Sequence, residues 1–314
     1  MAVSRRGFLA GWAAGVAQLA LARKLPAMKE AAAGLRVGIC DWSIGAAGGT
    51  KALELAARIG LEGVQISPRL VGDKLSFAAP QVQKEYKEAV KATGVQVASL
   101  GLTVTNRCAL ATDPRGPAWL EQLIDATNAL GCKPTLIAFF GRGDLRAGKQ
   151  LKAKEVAAVV ERLKAAAPRA KEKGVILGIE NTLSAKDNLA ILDRIGSEAV
   201  QVYYDIANST AGGYDVPAEI RMLKGRICEF HFKNTQGLFG EAGVDLKPIA
   251  KAMREIDWQG WLILERSFGR DRLGYFQKNA AYIRKLFGLK APAKETLQRS
   301  ATWRAPTGLA PVEP

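Results

Sequence analysis

From Leu35 onward the chain alternates short apolar runs with helix-like patterns, and does so eight times. The runs are Leu35–Cys40, Gly63–Ile66, Val95–Leu102, Thr135–Phe140, Val175–Ile179, Val200–Tyr204, Ile227–Phe232 and Trp261–Leu264. Helical patterns follow at Lys51–Ile59, Gln81–Ala92, Trp119–Leu130, Val156–Lys173, Leu189–Ile195, Ala218–Leu223, Ile249–Ile256 and Phe276–Phe287. Strands apolar at nearly every position need cover on both faces. A helix after each strand supplies that cover and makes neighbouring strands parallel. Eight such units in about 255 residues match a single (β/α)8 TIM barrel of the α/β class. A doubly wound open sheet is the alternative. It lacks support, because Cys40-Asp41-Trp42-Ser43-Ile44-Gly45 after the first run does not fit a G-x-G-x-x-G phosphate loop. Gly60, Gly94, Gly131, Gly174, Gly196, Gly225 and Gly260 precede the next strand and are expected to cap the helices.

The 314 residues are 48% hydrophobic and 24% charged, which excludes a mainly disordered chain. The net charge of +15 invites a nucleic-acid reading. The basic residues instead spread along helical stretches (Lys152, Lys154, Arg162, Lys164, Arg169), with no aromatic-interleaved run, so no nucleic-acid partner is expected. Cys40, Cys108, Cys132 and Cys228 form no CxxC pair, which argues against a zinc ribbon or redox motif. Their apolar flanks suggest small buried thiols.

The two ends do not share the alternation. Ser4-Arg5-Arg6-Gly7-Phe8-Leu9 precedes a short apolar stretch from Ala10 to Ala22, which closes on Ala20-Leu21-Ala22. The stretch is too short to be a permanent membrane span. Residues 1–22 resemble a twin-arginine signal peptide, which implies the twin-arginine export machinery as a partner and an exported, periplasmic location. Residues 35–288 form the expected catalytic domain. Residues 289–314, with four prolines, read as an irregular tail that wraps the barrel or packs on a second copy in a homo-oligomer.

Each of the last four strands ends in a residue that can bind a metal. Glu180, Asp205, His231 and Glu265 are 25, 26 and 34 residues apart, one strand-plus-helix unit each time. The four side chains therefore return to the C-terminal face of the barrel, where active sites lie. Three carboxylates converging beside apolar strands repel one another, and the simplest compensation is a cation. Three carboxylates and an imidazole suit one Mn²⁺ or Mg²⁺, with Co²⁺ or Zn²⁺ as alternatives. His231 is the only histidine in the chain. A Ser-His-Asp triad would have to use it, and no nucleophile elbow accompanies it.

Lys233 has the strand parity of His231 and is a candidate contact to a substrate oxygen. Asn181 and Asn208 are candidate orienting groups. Trp42 could stack on a substrate ring or belong to the core. Glu229 shares the parity of His231 one step deeper, as a partner behind the ligands.

Glu180-Asn181, Asp205-Ile206-Ala207-Asn208, His231-Phe232-Lys233-Asn234 and Glu265-Arg266-Ser267 resemble the sugar phosphate isomerase/epimerase family, the xylose isomerase-like barrels, over roughly Leu35 to Gly288. The resemblance implies that the four residues bind one divalent metal and that Glu180 and Glu265 are also the acid/base pair. Asp205 and His231 would be ligands only. The metal would stabilise an enediolate formed when a proton leaves the carbon beside a carbonyl. Proton return to the opposite face epimerises, return at the neighbouring carbon isomerises, and loss of a β-leaving group eliminates. Asn208 stands where some family epimerases carry histidine, and Gln65 where some carry an acidic residue. An exported member would meet free sugars, so the expected substrate is a non-phosphorylated ketose or keto-sugar. A lyase or dehydratase of a keto-sugar or keto-glycoside is the alternative. An endonuclease of the related histidine-rich type and a non-catalytic sugar-binding barrel are remoter readings.

Overall fold

The computed structural model describes residues 34–291, so the expected signal segment and nearly all of the expected tail lie outside the described residues. Eight strands close into a parallel barrel. They are β1 (Leu35–Cys40), β2 (Gly63–Ile66), β3 (Gln96–Leu102), β4 (Pro134–Ala138), β5 (Ile176–Glu180), β6 (Val200–Asp205), β7 (Ile227–Phe232) and β8 (Gly260–Leu264). Each strand pairs with its neighbours in sequence, and β8 closes the barrel on β1 from Leu35 opposite Gly260 to Ile39 opposite Leu264. The doubly wound alternative is therefore excluded, since an open sheet has two free edges.

Nine helices are present among the described residues: α1 (Lys51–Ile59), α2 (Pro80–Thr93), α3 (Gly116–Ala129), α4 (Ala153–Glu172), α5 (Ala185–Ile195), α6 (Ile206–Ala211), α7 (Val216–Leu223), α8 (Leu246–Glu255) and α9 (Arg272–Phe287). Several begin three or four residues earlier than the apolar periodicity indicates. The reason is local: polar caps set the starts. Ser184, Asp215, Asp245 and Asp271 accept hydrogen bonds from first-turn backbone N–H groups of α5, α7, α8 and α9. The short α6, and two small hairpins pairing Leu70–Val71 with Lys74–Leu75 and Arg146–Ala147 with Gln150–Leu151, were not visible as periodic segments.

Five of the expected glycine caps adopt left-handed backbone, from φ 66° at Gly174 to 88° at Gly60. Gly225 does not; Lys224 takes the positive φ of 47° before β7, and Asp257 does so before β8 at 50°. The helices pack apolar faces on the sheet, as in α1, where Ala52, Leu53, Ala56 and Ala57 are buried. Inside the barrel, glycine makes room for large neighbours. A Cβ on Gly178 would lie 2.7 Å from Cys228 Sγ and 3.1 Å from Tyr203 Cβ. All four cysteines are free, with Cys40 and Cys132 buried and Cys108 and Cys228 partly so. No described helix is long and apolar enough to cross a membrane.

Candidate metal centre

Strands β5, β6, β7 and β8 deliver Glu180, Asp205, His231 and Glu265 to one end of the barrel. Pairing sets the level, with Asp205 directly opposite His231 on the neighbouring strand. Each residue offers one ligand atom, and the four atoms lie within 4.8 Å of one another. His231 Nδ1 is 2.7 Å from Glu180 Oε1, 3.5 Å from Glu265 Oε2 and 3.9 Å from Asp205 Oδ2. Glu180, Asp205 and His231 are buried, while Glu265 borders the opening.

Asp205 divides its two oxygens between two tasks. Oδ1 caps α6, accepting from the backbone N–H groups of Ala207 and Asn208 at 2.8 Å each. Oδ2 faces the cluster, where its one close partner is Lys233 Nζ, 2.6 Å away. Glu265 is fixed similarly. Trp42 Nε1 donates to Oε1 at 3.1 Å, leaving Oε2 toward His231 and 2.8 Å from Lys233 Nζ. The chain then turns sharply at Arg266 (φ 59°), whose N–H donates to Ser43 Oγ at 3.1 Å.

The electrostatics follow from this crowding. Burial pushes the Asp205 carboxyl up, against the pull of Lys233. Burial also opposes ionisation of Glu265, but His231 and Lys233 outweigh it and hold its carboxyl low. Burial alone would lower the His231 pKa. The Glu180 and Glu265 charges reverse that and raise it to about 9. Lys233, likewise penalised by burial, is raised by Asp205 and Glu265.

A divalent cation fits these residues. The donor set is three carboxylates and an imidazole whose ligand atoms lie within 4.8 Å of one another, and the buried Asp205 Oδ2 aims into the cluster with only the Lys233 ammonium beside it. Glu180, Asp205, His231 and Glu265 could hold the ion, and such oxygen-rich sites suit hard or borderline divalent metals.

Two adjoining cavities of about 440 and 360 Å³ open above the cluster and share Trp42, Lys233 and Glu265. Glu180 and Asn208 line the larger one. Trp42 lines both cavities and packs on Cys40, Trp261 and Ile263. Lys233 lines both cavities but is not a free rim lysine, since it bridges Asp205 and Glu265. Asn181 is not among the cavity-lining residues. Its carboxamide bonds Asn188 Oδ1 at 2.8 Å and accepts from Leu183 N–H at 2.9 Å, which shapes the turn after β5.

Several residues at and beneath this mouth have no place in the expected ligand or substrate-binding set. Asp41 is buried and accepts from Gly48 N–H, Ser67 N–H and Ser67 Oγ–H, tying the ends of β1 and β2 together. Burial pushes its pKa up to about 6 against those donors. Arg266 and Arg272 line the smaller cavity, and neither pairs with a carboxylate among the described residues. Gln65 bonds His231 directly. Its signal was a lone amide in the apolar run Gly63–Ile66.

Comparison with known proteins agrees with this architecture. Residues 53–286 match the family model described as xylose isomerase-like TIM barrel. A curated relative, the 2-epi-5-epi-valiolone 7-phosphate 2-epimerase of Actinoplanes sp., is 25% identical over 182 residues, which span 57% of this chain and 65% of that protein. A solved L-ribulose 3-epimerase superposes with a TM-score of 0.67 at 21% identity, covering 85% of this chain and 97% of its own. The 3-keto-D-glucoside 4-epimerase of E. coli gives a TM-score of 0.66 at 15% identity, over 80% of this chain and 99% of that one.

Proposed function

We propose that this chain, which belongs to the xylose isomerase-like TIM-barrel family, is a divalent-metal-dependent isomerase or epimerase of a non-phosphorylated ketose or keto-sugar. The convergence of four strand-end ligand atoms within 4.8 Å, beneath a cavity that Glu180 and Glu265 both line, carries the reading. The ion, Mn²⁺ or Mg²⁺ from this donor set, would supply Lewis acidity toward a carbonyl oxygen. Asp205 and His231 would hold it. Glu180 and Glu265 have a second duty: one removes the proton from the carbon beside the carbonyl, and the other returns a proton. Trp42 keeps Glu265 aimed by holding its other oxygen. Asn208 and Lys233 lie where they would meet substrate oxygens. Epimerases of related sugars among the similar proteins support the reaction class. The Ser4-Arg5-Arg6-Gly7-Phe8-Leu9 pattern supports action after export to the periplasm.

One observation favours a second reading of the substrate. Arg266 and Arg272 face the smaller cavity without carboxylate partners, which would suit a phosphorylated sugar. The Actinoplanes relative is named for a phosphorylated substrate.

NMR in D₂O with free and phosphorylated keto-sugars, with and without chelator, tests the proposal. Deuterium at the carbon beside the carbonyl, with an epimeric or isomeric product that chelator abolishes, is the expected result. Release of a fragment or of water would make the enzyme a lyase. No exchange with any metal-loaded combination would overturn the reading.

A further inference from the structure

Beneath the four ligands the barrel holds a second polar layer. Gln65, Ser99, Glu229 and His231 are 0% exposed, and Tyr203 is 1% exposed. Gln65 Oε1 lies 2.8 Å from His231 Nε2. Gln65 Nε2 donates to Ser99 Oγ at 3.0 Å and to Tyr203 Oη at 2.9 Å. Glu229 lies beside this group with neither oxygen hydrogen-bonded; burial pushes its carboxyl up, and the nearby hydroxyls of Ser99 and Tyr203 only partly oppose that. The hydrogen-bonded chain runs His231, Gln65, then Ser99 and Tyr203.

Two irregularities in the sheet assemble it. Between β2 and β3 the register shifts after Val64, so Gln65 faces Ser99 rather than Ala98. Between β6 and β7 it shifts after Val202, so Tyr203 faces Glu229 rather than Cys228. Bulges of this kind re-aim side chains near active sites. Here both lie at members of the same hydrogen-bonded chain.

The chain has a direction, and the two faces of the His231 ring set it. Nδ1 points among the carboxylates of Glu180, Asp205 and Glu265, where a cation would bind. A cation on Nδ1 leaves the hydrogen of the ring on Nε2, and a hydrogen there needs an acceptor. The Gln65 amide oxygen faces Nε2 at 2.8 Å, while its amide nitrogen faces Ser99 and Tyr203.

We infer that Gln65 is a positioning residue, which, oriented by Ser99 and Tyr203, holds the Nε2–H of His231 and so presents Nδ1 to the divalent ion. A hydrogen-bonded partner behind a ligating histidine orients the ring and raises its basicity as a ligand. This role presupposes the cation site proposed above.

His231 is the only histidine, so ¹⁵N-histidine labelling of the full chain gives one imidazole to observe. In the Mg²⁺- or Zn²⁺-loaded protein, a hydrogen on Nε2, slow to exchange, and a bare Nδ1 are expected. Gln65→Met keeps the volume and removes the acceptor. It should make the Nε2–H exchange fast and weaken metal binding roughly 10–100-fold. Tyr203→Phe removes one of the two acceptors that orient the Gln65 amide and should speed the same exchange. A loaded wild-type ring with its hydrogen on Nδ1 would overturn the role of Gln65. So would a Gln65→Met variant with unchanged exchange and unchanged affinity. A wild-type chain that binds no divalent ion would instead remove the cation site itself.

Discussion

Lys233 Nζ stands 2.6 Å from Asp205 Oδ2, so a lysine cation already occupies the flank of the candidate metal centre. The same ammonium lies 2.8 Å from Glu265 Oε2. It offsets part of the repulsion among three carboxylates, and it competes with any ion that uses the same two oxygens. Lys233→Met should therefore have opposite effects on the two states. The metal-free protein should lose about 2–4 kcal/mol, less than for a wholly buried pair because the lysine is 16% exposed. The gain in melting temperature on adding Mn²⁺ should exceed that of the wild type. A smaller gain, measured by thermal denaturation in chelator and in excess metal, would show that Lys233 aids the ion.

Asp205 predicts a split between two substitutions. Asp205→Asn keeps an oxygen to accept from Ala207 N–H and Asn208 N–H, so α6 should keep its cap. Asp205→Ala removes the cap as well, costing about 1 kcal/mol more on that account. Both should lose metal affinity. Chemical denaturation in chelator resolves the first difference and calorimetric titration the second. Equal stability of the two variants would contradict the capping role.

Protons and metal should compete at His231. Its pKa is raised to about 9, above the ordinary 6.5, so below that value a proton must leave Nδ1 before an ion can bind. Apparent affinity should rise about tenfold per pH unit between the ordinary and the raised value if one proton is released. The sign for the metal-free protein is the reverse. A raised folded pKa contributes stability fully present below 6.5 and lost as pH rises through about 9. Calorimetry in buffers of different ionisation heat counts the proton. A pH-independent affinity would place the imidazole outside the metal site.

Glu180→Gln and Glu265→Gln test the proton-transfer pair. Each should keep the barrel and cut turnover by about 10²–10⁴ on any keto-sugar that the wild type converts. Full turnover in either variant with metal bound would remove that residue from the pair.

Much of this centre was legible in the sequence because a parallel barrel converts spacing into position. One strand-plus-helix unit separates Glu180, Asp205, His231 and Glu265, and that period returns side chains to the same end. Legibility stopped where the period stopped. Asn181 adjoins Glu180, yet the chain leaves the strand there and its amide turns to Asn188. Lys233 has the parity of a cavity residue, but its partners came from two other strands. Gln65 was invisible as a partner of His231, because its placement depends on a register shift that no alternation pattern encodes. Gly225 looked like a helix cap, while the backbone bends at Lys224 instead.

Titration of chelator-treated protein with Mn²⁺, followed by calorimetry and by elemental analysis of the dialysed product, tests the central claim most directly. One ion per chain is predicted for the wild type, with binding lost in His231→Ala and Asp205→Asn. No binding by the wild type, or undiminished binding by both variants, would contradict a metal centre built from Glu180, Asp205, His231 and Glu265.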